Sequence, residues 1–164
     1  MGKVAFQADT LHDLRSVSKT IVGLLYGIAL ADGKVPPPDA PLLASFPEYA
    51  DLAADPARNR WTIHHVLTMT MGTDWDELGV PYSDPTNSEI AMDTAPDRYR
   101  FVLGALVVME PGKRWIYNGG ATGASCGTGC SRIKRWIDDL CCRLRPSFPA
   151  FTSHWPRPRL RLSV

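Results

Sequence analysis

The sequence predicts a mainly helical domain over its first 120 residues, and three observations carry that prediction. Residues 16–32 hold Val17, Ile21, Val22, Leu24, Leu25, Ile28 and Leu30, and a helix apolar on most faces is expected inside a core. Start and stop signals then recur at helical spacing. The stretches between them are long, polar and punctuated by proline and glycine. No internal repeat is present.

Each element follows from local chemistry. Asp32-Gly33 ends the first helix, because glycine accepts the left-handed conformation common just past a helix end. Pro36, Pro37 and Pro38 impose an extended connection. Thr62 is expected to cap a short helix carrying Ile63, Val66 and Leu67, with Gly72 closing it. The segment DWDELGVPYSDPTNSE is turn-rich, broken by Pro81 and Pro85. Further helices are predicted from near Ser88, and from Pro96 through Tyr99 and Val102 to about Leu106. Glu110-Pro111-Gly112 forms a turn, and RWIYNGG a short strand or loop leading into another helix. After Gly120 small residues dominate and sustained apolar periodicity is lost, apart from a short amphipathic pattern from Ile133 to Leu144. The spaced prolines and arginines of PSFPAFTSHWPRPRLRLSV read as irregular chain.

The totals suit one globular domain: 164 residues, 45% hydrophobic and 21% charged, with a net charge of +1 that draws no polyanionic partner. They conceal a split. Residues 1–120 carry ten Lys and Arg against fifteen Asp and Glu, whereas residues 121–164 carry eight against two and all four cysteines. The opening MGKVAFQADT has no apolar signal-peptide core, so a cytoplasmic chain is expected. Ile21 to Ala31 is too short for a membrane span, which needs roughly 20 residues, so no membrane partner is expected.

The head of the first helix carries chemistry. Ser16 and Lys19 stand three residues apart, on one helical face. An alcohol attacks well only when a base removes its proton, and a lysine becomes that base when apolar surroundings disfavour its charge. The helix N-terminus would direct N–H dipoles at a reacting carbonyl oxygen. The bland alternative is a capping serine beside a solvated lysine. The spacing alone does not decide, since Ser131-Arg132-Ile133-Lys134 repeats it inside a basic cluster.

Longer stretches do. RSVSKTIVGLLYGIALADGKV resembles the nucleophile helix of the serine β-lactamase-like hydrolases, which include class C β-lactamases, penicillin-binding proteins, esterases and nylon-oligomer hydrolases. WTIHHVLTMTMGTDWDE resembles the helix and turn that follow there, usually with a small residue where Met71 stands. EPGKRWIYNGGAT resembles the segment bearing the second catalytic box, Tyr-x-Asn. The resemblance covers about residues 10–122. It implies an α+β fold of the β-lactamase/transpeptidase type, here mainly its α-helical part. It also implies acyl transfer from a small-molecule amide, ester or lactam to water, without metal or cofactor. Ser16 matches the acylated nucleophile, Lys19 its general base, and Tyr117 the tyrosine that shares proton transfer and protonates the leaving group. Gly119 stands where the box has asparagine, and Asn118 does not inherit that role. Ser18 has no role in the motif. Adjacent His64 and His65 point apart on a helix, and Asp74, Asp76 and Glu77 make an acidic turn that resembles a cation site but reads as a solvated loop or helix cap.

Other parts of the family pattern are not recognisable. No Lys-Thr-Gly or His-x-Gly follows Tyr117, and fifteen residues before Ser16 leave little room for the first sheet strands. The expectation is therefore a partial hydrolase domain over residues 1–120, lacking most of the central sheet and impaired or inactive. Residues 121–164 are expected to be a basic, irregular Cys/Arg/Pro-rich tail, read as the product of a frameshift. Two other readings remain: a non-catalytic protein whose basic tail binds nucleic acid, and a pseudogene-like fragment without function. Arginines with Trp136 and Trp155 would suit nucleic acid, but no periodic platform presents them. The C-x3-C and adjacent spacings of Cys126, Cys130, Cys141 and Cys142, with His154, do not match zinc knuckles.

Overall fold

Asp32-Gly33 stops the first helix as its chemistry predicts. In the computed structural model, α1 spans Val17–Ala31. Gly33 adopts φ +64°, Gly33 N donates to Leu30 O at 3.0 Å and Lys34 N to Ala29 O at 2.8 Å. That pair of bonds is a Schellman closure. The structure describes residues 16–127, with side chains to residue 125. The readings placed on Cys130, Ser131 to Lys134, the 133–144 pattern, Trp136, Cys141, Cys142, His154 and Trp155 lie outside the described residues, as does that on the Cys126 side chain.

The described residues are mostly helical. Three short 3-10 segments, Leu42–Ser45, Pro47–Ala54 and Arg58–Arg60, follow α1. Then come α2 (Ile63–Leu67), α3 (Ser88–Thr94), α4 (Arg98–Gly104) and α5 (Gly119–Gly127). Among the described residues, strand-like pairing is confined to two isolated antiparallel bridges, Pro41 with Thr62 and Thr73 with Val107. Trp61, Phe46, Leu42, Ile63, Leu103 and Val66 form the most deeply buried part of the core. The Trp61 indole donates to Met71 O at 2.8 Å, so its one polar atom is satisfied.

Start signals place the short helices with small adjustments. Thr62 sits at the N-cap of α2, and His65 Nδ1 accepts from Thr62 N at 3.0 Å. Asn87 caps α3 through Glu89 N, at 3.0 Å. α4 starts at Arg98, two residues later than Pro96 suggests, because Asp97 takes the N-cap and accepts from Arg100 N at 2.9 Å. Gly72 does not close α2, which ends at Leu67 with Thr68 as its C-cap. A side chain at Gly72 (φ +75°) would collide with the Met109 carbonyl, so its glycine permits a close backbone crossing.

Two expectations change in the packing. α1 is not enclosed: Tyr26 and Ala29 are its buried residues, while Val17, Ile21, Leu24 and Ile28 form an exposed stripe. Nor does packing stop at residue 120. α5 crosses that point and lies against α1, α2, α3 and α4, with Ala121 and Ala124 fully buried. Its small residues are the reason. A Cβ on Gly120 would come within 2.9 Å of the Trp75 ring and 3.1 Å of Met92 Sδ. Close approach replaces the large apolar residues that a periodicity search seeks.

Candidate active site

α1 and the segment before α5 bring the three predicted residues together. Ser16 is the N-cap of α1, yet its side chain caps nothing. Its Oγ is hydrogen-bonded to the Tyr117 hydroxyl, 101 positions away. Lys19 Nζ lies 3.4 Å from the same Oγ and 5.0 Å from the centre of the Tyr117 ring. Ser16 is exposed, whereas Lys19 and Tyr117 are half-buried. An alcohol, an amine and a phenol within hydrogen-bond reach can pass a proton among themselves while the alcohol attacks a carbonyl. Beside Lys19 a small cleft is lined by Val22, Val66, Met69, Thr122 and Ser125.

Tyr117 is held from both sides along the chain. Ile116 N donates to Met69 O at 3.0 Å, and Met69 itself is left-handed at φ 54°. This conformation is unfavourable for a side-chain-bearing residue and tends to persist where surroundings fix it. On the other side, Gly119 N donates to Glu77 Oε2 at 2.7 Å. Asn118 is buried, and its Oδ1 accepts from Ala121 N at 2.8 Å, capping α5.

Glu77 corrects the reading of a solvated acidic turn. Asp74 and Asp76 are exposed, but Glu77 is only 4% exposed. Besides Gly119 N, its carboxylate accepts from Trp75 Nε1 and from the Tyr82 hydroxyl, each at 3.0 Å. Burial and then the bond to Glu77 push the Tyr82 hydroxyl up to about 12. Three donors satisfy the carboxyl oxygens in a dry setting. Asn87, fully buried, ties the same loop by donating to Glu77 O at 2.9 Å and Val80 O at 2.7 Å. A single acid in an acidic turn gives no sequence signal of this. The nearby Trp75 and Tyr82, each with a polar hydrogen to place, are the only clue.

Glu89, in the first turn of α3, is the second carboxyl near Gly119. Burial raises its pKa most, followed by Glu77 and Asp93, while Lys19 and Arg98 act in the opposite direction. Neither histidine joins the site: His64 is exposed, and His65 serves the α2 cap. Among the described residues, no group of three metal-ligating side chains converges, and no helix is long and apolar enough to cross a membrane.

Comparison with known proteins gives the family. The family model described as beta-lactamase matches residues 1–131, which continues beyond Thr122, where the resemblance read from the sequence ends. Esterase EstB of Burkholderia gladioli is 32% identical over 121 residues, an alignment covering 67% of this chain and 29% of the esterase. The chain thus spans less than a third of that relative's length. With a family match over most of the sequence, the chain belongs to the β-lactamase family of serine hydrolases.

Proposed function

We propose that the site performs acyl transfer from a small-molecule ester or amide to Ser16, followed by hydrolysis. Lys19 Nζ takes the Ser16 proton as Oγ forms a bond to the substrate carbonyl carbon. The tetrahedral intermediate collapses by breaking the bond to the leaving group, which receives a proton from the Tyr117 hydroxyl. Lys19 returns a proton to Tyr117, and water then cleaves the acyl-enzyme by the reverse use of the same groups. The observation that carries this reading is the Ser16 hydroxyl itself: it is engaged by Tyr117 and approached by Lys19 instead of capping its own helix. The esterase relative favours an ester among the possible acyl substrates.

A fluorescent fluorophosphonate tests the nucleophile directly. The expected result is labelling of the intact chain that is abolished in Ser16→Ala and slowed by roughly 10²-fold or more in Lys19→Ala, the scale of a lost general base. Equal labelling of the parent and Ser16→Ala would overturn the assignment. Turnover of a p-nitrophenyl ester, compared with the labelling rate, separates acylation from release.

A further inference from the structure

Gly119 is the position at which this chain departs from the Tyr-x-Asn box, and the space beside it is not empty. A Cβ built on Gly119 would overlap Glu89 Oε2, with Glu89 Cδ 2.7 Å and Oε1 3.0 Å away. The displaced group would be a carboxyl carried by another element, α3, thirty positions earlier in the sequence. Glu77 holds the amide of the same residue. Gly119 therefore lies between two carboxyl groups, one bonded to its N–H and the other packed where its side chain would be.

We propose that Glu89 is a positioning residue: its carboxyl fills the side-chain space of position 119 and thereby sets where the Tyr117 hydroxyl meets Ser16 and Lys19. This inference rests on the hydrolase reading of that site and adds a residue to it. Glu89 Oε2 is buried and makes no hydrogen bond among the described residues. A desolvated, unpaired oxygen costs stability and is kept where the arrangement serves something else. The charges of Glu77 and Asp93 raise its pKa and those of Lys19 and Arg98 lower it. Tyr117 is two residues from Gly119, so a shift of the backbone at 119 passes directly to the phenol. A small displacement of a reacting group is enough to slow chemistry strongly.

The test replaces the side chain on either element. In the intact chain labelled with 3-fluorotyrosine, the Tyr117 resonance is assigned by its loss in Tyr117→Phe. Glu89→Ala is expected to move that resonance and to slow fluorophosphonate labelling of Ser16 by roughly tenfold. Glu89→Gln, which keeps the shape, should leave the resonance in place. Gly119→Asn in the parent should lower the Tm, because the side chain meets Glu89, whereas in the Glu89→Ala background most of that loss should vanish and the resonance should return towards its parent position. An unmoved resonance in Glu89→Ala, or an equal Tm loss from Gly119→Asn in both backgrounds, would overturn the proposal. If the parent does not label while the resonance and Tm results hold, the hydrolase reading fails and the packing of Glu89 against Gly119 stands.

Discussion

The two halves of the site are built in opposite ways. Ser16 and Lys19 stand at the free end of α1, a helix whose buried anchors, Tyr26 and Ala29, lie at its other end. There Tyr26 also donates to Pro36 O at 2.7 Å. Tyr117, in contrast, sits in a loop fixed on both sides, by Met69 O through Ile116 and by Glu77 through Gly119. One half is an exposed nucleophile on a regular element. The other is an irregular segment made precise by buried polar groups. Regular secondary structure is thus not the source of order around Tyr117; satisfied hydrogen bonds in a dry loop are.

Breaking the buried half should have the largest effect. Glu77→Leu removes the acceptor of Trp75 Nε1, Tyr82 OH and Gly119 N at once. With Glu77 4% exposed, water cannot readily replace it at all three donors. A loss on the order of 3 kcal/mol or more is expected in urea denaturation. Glu77→Gln should cost much less. Its carbonyl can accept from two of the donors, while its amide donates to Tyr82, whose hydroxyl rotates to accept. Equal losses in the two variants would show that the negative charge, not the set of acceptors, holds the loop.

The contrast also separates what was legible in the sequence from what was not. Elements built by local chemistry were legible: the Asp32-Gly33 stop, Thr62 before α2 and the start of α3 near Ser88. Each depends on residues within one turn of the feature. Elements built by distant packing were not. A helix was expected to follow RWIYNGG and α5 is that helix, but it carries glycine, alanine and serine where a core helix usually carries large apolar residues, so its burial did not show. α1 showed the reverse, a strongly apolar pattern on a helix with one exposed face. In the site, Ser16 and Lys19 form a local pair, but only likeness to a family linked them to Tyr117. Glu77 had only the indirect clue of Trp75 and Tyr82 nearby, and Glu89 had none, because a carboxylate's burial is decided by the chains that fold over it.

A milder way to sharpen the comparison is through pH at α2, which carries no reacting group but supports Met69. Burial, and then the neighbouring His64, lower the pKa of His65 below its ordinary 6.5. The neutral ring accepts from Thr62 N at 3.0 Å, a bond that a protonated Nδ1 cannot accept. The unfolded chain therefore binds the proton more readily than the folded one. The stabilisation is present above pH 6.5 and is lost as pH falls through the lowered value of the folded state. His65→Ala should remove about 1 kcal/mol at pH 8, the scale of a lost cap, and progressively less towards pH 5. A difference independent of pH would mean that ring packing, not the cap, is what His65 contributes.

The smallest effect is expected on α1 itself. Leu24 is 65% exposed, in line with Val17, Ile21 and Ile28, so Leu24→Ala removes few contacts and exchanges leucine for an equally good helix former. Its cost should stay within about 0.5 kcal/mol, far below that of Glu77→Leu. Labelling of Ser16 should also be unchanged, since Leu24 is exposed and lies more than one helical turn beyond Lys19. A loss of roughly 2 kcal/mol or more, the scale of a truncated core leucine, would reverse the comparison. It would show that the α1 stripe is covered in solution, and that the nucleophile's half of the site is as enclosed as the half that holds Tyr117.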